Sequence, residues 1–499
     1  MDKDQFFKEL DKTKNYFLAN LTEMESSVHI YTHLDADGLS AGAILGKSLY
    51  RMNIPFQITI LKQLEKDEII KISEKAKEFG NFFIFADFGS GQYSDIKKEF
   101  TESDAKSPFI ILDHHLPQEI ESKDKLDEIK SIFEETRPWH INPYFFGIDG
   151  SSEVSGAGLS YFFSKNLNDK NIDLSPIALI GAVGDIQNQG GSKTFLGLNK
   201  VILKDALDQN LISERSDLNF SLIKPLNQAL AYSTEINLPG ISGDENKSLK
   251  FLKQLGVLIE KPNGEIKTLN DLTWDEKQKI SSAIIEYASV KLNINPNEII
   301  EKLIVNRYLL TSESEDSDLR DLGDFSNLLN ACGRTNNGAQ GIAITMGDRS
   351  KAYKEAKEKL EEYKKSLVKA LTWLKEENKI KNKDYIQYFY GEDIIPENIV
   401  GTISSMLIFD NDDFIDKNKP IFGYANRLNE DVYKVSGRAH KSLVKKGINL
   451  SEAIRKALKR SDLITLGGGH PPAAGTKVPT NKIDEFLKHC NEVIKEQLE

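Results

Sequence analysis

"YTHLDADGLSAG", residues 31–42, sets His33, Asp35 and Asp37 two positions apart, after the apolar run Val28 to Tyr31 and before a glycine. On an extended segment, side chains at i, i+2 and i+4 point the same way, so this spacing predicts one imidazole and two carboxylates aimed at one spot. Carboxylates held that close call for a cation. The plainer reading of the same residues is a solvated turn. Asp and Gly suit strand-to-helix loops, and Asp caps helices such as the one predicted from Leu39 to Tyr50.

Working outward, SVHIYT, FQITIL, FFIFAD and PFIILD are short apolar runs that alternate with helical stretches. That alternation predicts an α/β fold with a mostly parallel sheet. The run Phe82 to Ala86 delivers Asp87; Phe109 to Leu112 delivers Asp113, His114 and His115; ALIGAVGDIQ delivers Asp185. In an open parallel sheet the carboxyl ends of the strands border one crevice, so residues distant in sequence converge there. Any one of these aspartates reads as a turn residue. Four such sites, holding three of the eight histidines of the chain, read as a constellation.

At 499 residues the chain predicts two or three domains. We expect a parallel-sheet domain over 1–205 and a mainly helical insertion over 206–378. The insertion ends in the long connecting helix KAYKEAKEKLEEYKKSLVKALTWLKEEN, and a smaller α/β domain follows over 379–499. The N-terminal MDKDQFFKELDKTKNYFLANL is helix-periodic and unlike a secretory signal. No run of about 18 uncharged apolar residues is present, so no membrane partner is expected. Cys332 and Cys490 are the only cysteines, which excludes a disulfide framework and a cysteine metal site and points to the cytoplasm. The net charge of −11 argues against a protein coated in nucleic acid, while leaving local grooves open.

Carboxylates and imidazoles without thiolates suit Mn²⁺ or Mg²⁺, and imidazole favours Mn²⁺. The set exceeds what one ion needs. Two cations about 3.5 to 4 Å apart, joined by one carboxylate, would use it and activate water for in-line attack on phosphorus. In the C-terminal region, residues 434–460 carry nine Lys or Arg against the single acid Glu452. Part of that charge is the solvated face of a helix. Arg438, next to Ser436 on a predicted strand, is the better phosphate ligand because its fork grips two oxygens. Arg334 in NACGRT is a second candidate. Gly467, Gly468 and Gly469 read as a turn whose backbone amides approach a phosphate or a terminal nucleotide, with His470 as a further donor.

The HxDxDG stretch at 33–38, Asp87 in DFG, the Asp113-His114-His115 triplet and Asp185 resemble the four motifs of the DHH phosphoesterase superfamily. KVSGRAH at 434–440 and LGGGHPPAAG at 466–475 resemble its DHH-associated domain. The stretches NPYFFGIDGSSEVSGAGLSYFF and FSNLLNACGRT look most like archaeal RecJ-like single-strand exonucleases, including the type associated with GINS. The resemblance implies that His33, Asp35 and Asp87 hold one ion, and that Asp37, His114 and Asp185 hold the other, with Asp87 bridging. It implies that His115 contacts the scissile phosphate and that Asp113 orients a histidine. The expected function is a Mn²⁺- or Mg²⁺-dependent exonuclease on single-stranded DNA or RNA, acting in replication or repair, with GINS or a similar protein as partner. Two alternatives stand beside it. One is a hydrolase of short oligoribonucleotides or phosphoadenosine phosphate; the other is a replisome docking protein with secondary nuclease activity.

Overall fold

Strands β1 (Val28–His33), β2 (Phe56–Leu61), β3 (Phe82–Ala86), β4 (Phe109–Leu112) and β5 (His140–Ile141) form a sheet in the order β2-β1-β3-β4-β5. Every neighbouring pair is parallel. β3 and β4 lie inside the sheet and every residue of each is buried, which is why FFIFA and FIIL need no polar alternation. β2, at the edge, is only partly covered. The computed structural model describes residues 2–23, 27–79, 81–102, 107–117, 133–136, 139–233, 238, 240–292, 295–409, 414–427, 430–465 and 467–499.

After helix α1 (Lys3–Glu23) and β1, the chain enters α2 (Ala36–Arg51). Gly38, Gly42 and Gly46 stand four apart on the face of α2 that meets the sheet. A Cβ on them would lie 2.3 Å from the His33 carbonyl oxygen, 3.0 Å from Thr32 Cγ2 and 2.9 Å from Ile58 Cδ1. The helix therefore sits closer to β1 and β2 than side chains would permit. Helices α3 (Gly156–Leu167) and α4 (Ser175–Gly184) complete this layer against α2. The run expected to deliver Asp185 from a strand is α4. SPIALIGAV is buried nearly throughout, so it lacks the polar face by which a helix is told from a strand.

The span 206–378 holds two kinds of structure. The chain leaves on β6 (Ile212–Leu218) and returns on β7 (Ile304–Leu310), paired antiparallel from Ile212↔Leu310 to Leu218↔Ile304. Between them a small helical body has its own core, including Leu226, Leu230, Leu252, Leu269, Ile280 and Ile284. The buried Arg307 ties the ribbon down, donating to the Leu218 and Phe220 carbonyls and pairing with Asp321 at 3.0 Å. Then α5 (Leu322–Arg334) and α6 (Gly338–Met346) fold back onto α4 and α2. The long helix α7 (Lys351–Glu376) follows. The chain divides into two compact units, Met1–Lys359 and Leu360–Glu499.

The second unit is built on a six-stranded mixed sheet. Its strands are β8 (Lys381–Asn382), β9 (Gln387–Tyr390), β10 (Ile421–Asn426), β11 (Val432–Arg438), β12 (Gly467–His470) and β13 (Ala473–Pro479), in the order β12-β13-β11-β10-β9-β8. Helix α8 (Val400–Phe409) packs against β10 and β11. Helices α9 (Leu450–Arg460) and α10 (Ile483–Leu498) enclose the main core with Phe422, Val435, Ile454 and Phe486. Gly467–Gly469 is therefore not a turn but an edge strand, antiparallel to β13. Space dictates two of its glycines. A Cβ at Gly467 would meet Ile454 Cγ2 at 2.6 Å, and at Gly469, where φ is +138°, the Ala473 carbonyl oxygen at 2.4 Å. At Gly468 a Cβ would meet nothing within 4 Å.

Candidate metal centre

The order β2-β1-β3-β4-β5 reverses direction between β1 and β3, and a crevice forms at the carboxyl ends of strands at such a point. His33 ends β1, Asp87 follows β3 and Asp113–His115 follow β4, so the topology gathers them at that crevice. Asp35 and Asp37 arrive differently from the extended alternation the spacing predicts. Asp35 is the N-cap of α2, accepting from the Gly38 amide at 3.0 Å, and Asp37 is already in the first helical turn. The helical turn sends the two carboxylates to different partners. Ligand atoms of His33, Asp35 and Asp87 lie within 4.8 Å of one another, as do those of Asp37, His114 and Asp185, and those of Asp87, His114 and His115.

Asp87 joins the groups. Its Oδ2 lies 3.6 Å from His33 Nδ1 and its Oδ1 lies 3.2 Å from His114 Nε2. His33 Nδ1 also meets Asp35 Oδ2 at 2.8 Å, and His114 Nε2 meets Asp185 Oδ2 at 3.2 Å and Asp37 Oδ2 at 3.7 Å. The other nitrogen of His114, Nδ1, lies 2.7 Å from the Gly150 carbonyl, which places a proton on Nδ1 and turns Nε2 to the centre. Asp113 plays another part. Its Oδ1 accepts from His115 Nδ1 at 2.8 Å and its Oδ2 from the Ser90 amide at 2.8 Å, so it faces His115, itself half exposed, and not the carboxylate cluster.

Several supports were not singled out by the sequence. The Asp37 carboxylate accepts the amides of Gly156 and Ala157, 2.7 and 3.1 Å away, at the N-terminus of α3. A Cβ at Gly156 would lie 2.7 Å from Asp87 Cβ, and at Gly181 2.4 Å from Asp37 Oδ1. Gln187 donates to the Gly150 carbonyl at 2.9 Å and accepts from Asn199 at 2.8 Å. Asn142 donates to Ser90 Oγ and to the His115 carbonyl, both at 2.8 Å. Small residues and side-chain amides in loops carry no periodic signal; proximity to the DFGSG and GIDG stretches is the one cue.

The donor set fits hard divalent cations. Both carboxylate oxygens of Asp87 and the His114 Nε2 are buried without a hydrogen-bond partner, a costly state that a cation relieves. Burial, then the charges of Asp87 and Asp185, pushes Asp37 well above the usual carboxylate range; burial also raises Asp185. Burial opposes charging His33 and His114, yet the surrounding carboxylates outweigh it and hold both imidazoles well above their ordinary range. Protons thus occupy positions that a cation would fill.

The candidate strand-binding residues lie in two places. Arg334 ends α5, whose Gly333 abuts Leu34: a Cβ there would sit 1.7 Å from the Leu34 carbonyl oxygen. Asn330 of the same helix accepts the Ala36 amide at 3.0 Å. In the second unit, Ser436 and Arg438 project from one face of β11. Arg438 Nε donates to Ser405 Oγ at 2.9 Å and Nη1 to the Gly437 carbonyl at 2.8 Å. The backbone of His470 pairs with Ala473, while its side chain lies outside the described residues. Lys456 pairs with Glu452 at 2.7 Å and Arg460 with Glu496 at 2.8 Å, so this part of the basic stretch is a solvated, ion-paired face.

Known proteins bear on this arrangement. The DHH-CID domain family matches residues 222–304 and the DHHA1 domain family matches residues 386–496. An uncharacterized protein of Methanocaldococcus jannaschii is 33% identical over 492 residues, 98% of each chain. Among solved structures, RecJ of Thermus thermophilus in complex with Mn²⁺ aligns with TM-score 0.57 at 14% identity, over 98% of this chain and 55% of that one. This chain thus spans about half the length of that RecJ. CDC45 of Entamoeba histolytica aligns with TM-score 0.63 at 11% identity over 99% of each chain. The chain belongs to the DHH superfamily, with a RecJ-like fold.

Proposed function

We propose that this protein is a Mn²⁺- or Mg²⁺-dependent exonuclease that hydrolyses phosphodiester bonds of single-stranded DNA or RNA. The carrying observation is the buried Asp87 carboxylate, whose two oxygens face two separate ligand groups and find no hydrogen bond. His33, Asp35 and Asp87 would hold one ion, and Asp37, His114 and Asp185 the other, with Asp87 shared. Bound there, two divalent ions would supply an activated water and Lewis acidity at the phosphoryl oxygens. The protein's own groups do the rest. His115 reaches the phosphate, and buried Asp113 fixes its ring and favours its charged form. In the first unit Arg334 would contact a strand phosphate; in the second unit Ser436, Arg438, Gly467–Gly469 and His470 would offer a strand-binding surface, with phosphates drawn to the guanidinium fork and to the edge of β12.

The test is incubation of the protein with Mn²⁺ and single strands labelled at either end, in DNA and RNA forms. Progressive shortening from one end is expected. Cleavage of dinucleotides or phosphoadenosine phosphate alone would favour the small-substrate hydrolase instead.

A second reading follows from the fold match to CDC45 over nearly the whole of both chains. On it, the protein docks within a replication assembly, GINS being one candidate partner. Binding to such a partner by the wild type, with no strand cleavage in Mn²⁺, would favour it.

A further inference from the structure

Ile186 breaks the pattern for the place where it stands. Helix α4 ends in a Schellman-type turn: the Ile186 amide donates to the Val183 carbonyl at 3.0 Å and the Gln187 amide to the Ala182 carbonyl at 2.8 Å. The turn puts Ile186 in the left-handed region, with φ 56°. Glycine or asparagine ordinarily fills that position, and a β-branched side chain there is an outlier. Elsewhere the chain keeps to asparagine or its acid: after four other helices the left-handed residue is Asn53, Asn210, Asn336 or Asn378, and after a fifth it is Asp462. Burial offers no compensation, since Ile186 is 70% exposed.

A strained isoleucine facing solvent contributes nothing to folding, so its use lies in something it contacts. Its place says what. The residue before it is Asp185, whose Oδ2 lies 3.2 Å from His114 Nε2; the residue after it is Gln187, tied to the Gly150 carbonyl at 2.9 Å. The chain is pinned on both sides, so the exposed Ile186 follows directly on a residue of the carboxylate cluster. An aliphatic group cannot ligate phosphate. In a strand, the apolar surfaces beside each phosphate are the sugar and the base.

We infer that Ile186 is a specificity-determining residue that packs on the sugar or base of the nucleotide whose phosphate lies at the Asp87 centre. The inference rests on the exonuclease reading. It makes the site select nucleotide esters over phosphate esters without a nucleoside.

The test compares wild type with Ile186→Asn and Ile186→Val. Kcat/KM in Mn²⁺ is measured for a single-stranded oligonucleotide and for methyl p-nitrophenyl phosphate, a diester with no sugar or base. Asparagine suits the left-handed turn but removes the aliphatic surface. The ratio of the two kcat/KM values should fall about tenfold in Ile186→Asn, the scale of one partly buried aliphatic contact, and Ile186→Val should retain most of it. The Tm of Ile186→Asn should equal or exceed that of the wild type, because strain is relieved. An unchanged ratio, or a lowered Tm with equal loss on both substrates, would overturn the inference and assign Ile186 a structural role. If the wild type cleaves neither substrate, the exonuclease reading fails. Oligonucleotide binding in Ca²⁺ then decides: weaker binding by Ile186→Asn upholds the contact, and equal binding overturns it.

Discussion

Asp87 adopts φ 62°, a left-handed conformation uncommon outside glycine and costly enough to mark a constrained site. Its carboxylate is thereby set between two ligand groups. His33, Asp87, Asp113, His114, His115 and Asp185 of the candidate centre stand out in the sequence because they lie at the ends of apolar runs, and Asp35 and Asp37 because of their spacing from His33. The residues that hold them do not, since Gly156, Gly181 and Gln187 act through closeness and amide bonds that leave no pattern. Asp113 shows the division of labour. Burial would raise it, but His115 outweighs burial and holds it well below the usual carboxylate range. Asp113→Asn should lower kcat about 10- to 100-fold, the usual cost of losing the partner that orients a site histidine. KM and Mn²⁺ affinity should change little, as steady-state kinetics and metal titration will show. The raised pKa values carry a second expectation. Asp37, Asp185, His33 and His114 bind protons more tightly when folded than unfolded, so their contribution to stability is lost as pH rises through the folded values. In EDTA, Tm should fall as pH rises, from the ordinary carboxylate range for the two aspartates and from the ordinary histidine value of about 6.5 for the two imidazoles. Saturating Mn²⁺ should reverse the trend, because cations replace those protons.

At the scale of elements, four of the five strands of the parallel sheet could be read from short apolar runs, and α1 and α7 from their spacing; the two-residue β5 is too short to leave a run. Two further elements could not be read. The apolar SPIALIGAVG has no face to show whether it is helix or strand, and GGGH has no propensity for the strand it forms. Pairing with β13, a tertiary contact, decides the second case. Its consequence is testable. Valine at Gly468 would enter open space on an edge strand, where β-branched residues are at home. Gly468→Val should therefore keep the Tm of the wild type while weakening oligonucleotide binding by obstructing backbone approach. Loss of Tm instead would show that Gly468 serves packing.

Over the whole molecule, the sequence predicts a change of character near residue 205 and a return to mixed strands after α7, whereas the first compact unit runs on to Lys359. The sequence does not show that α5 and α6 rejoin the layer beside α2, because helices that pack on a distant partner look like any other amphipathic helix. On the exonuclease reading, a chain of net charge −11 binds strands through local positive groups. Affinity for a single strand in Ca²⁺ should fall linearly in a log-log salt plot, with a slope of about 0.7 per phosphate neutralised. Arg438→Ala should lower both affinity and slope, whereas Arg460→Ala, which removes an ion-paired surface group, should do less. The central claim is that Asp87 joins two cation sites in one centre. Mn²⁺ binding by calorimetry, with electron paramagnetic resonance on the same samples, tests it directly. Two ions per wild-type chain with a spin-coupled spectrum are expected, and loss of the coupling with at most one tightly bound ion in Asp87→Asn. A single ion in the wild type, or two coupled ions in Asp87→Asn, would contradict it.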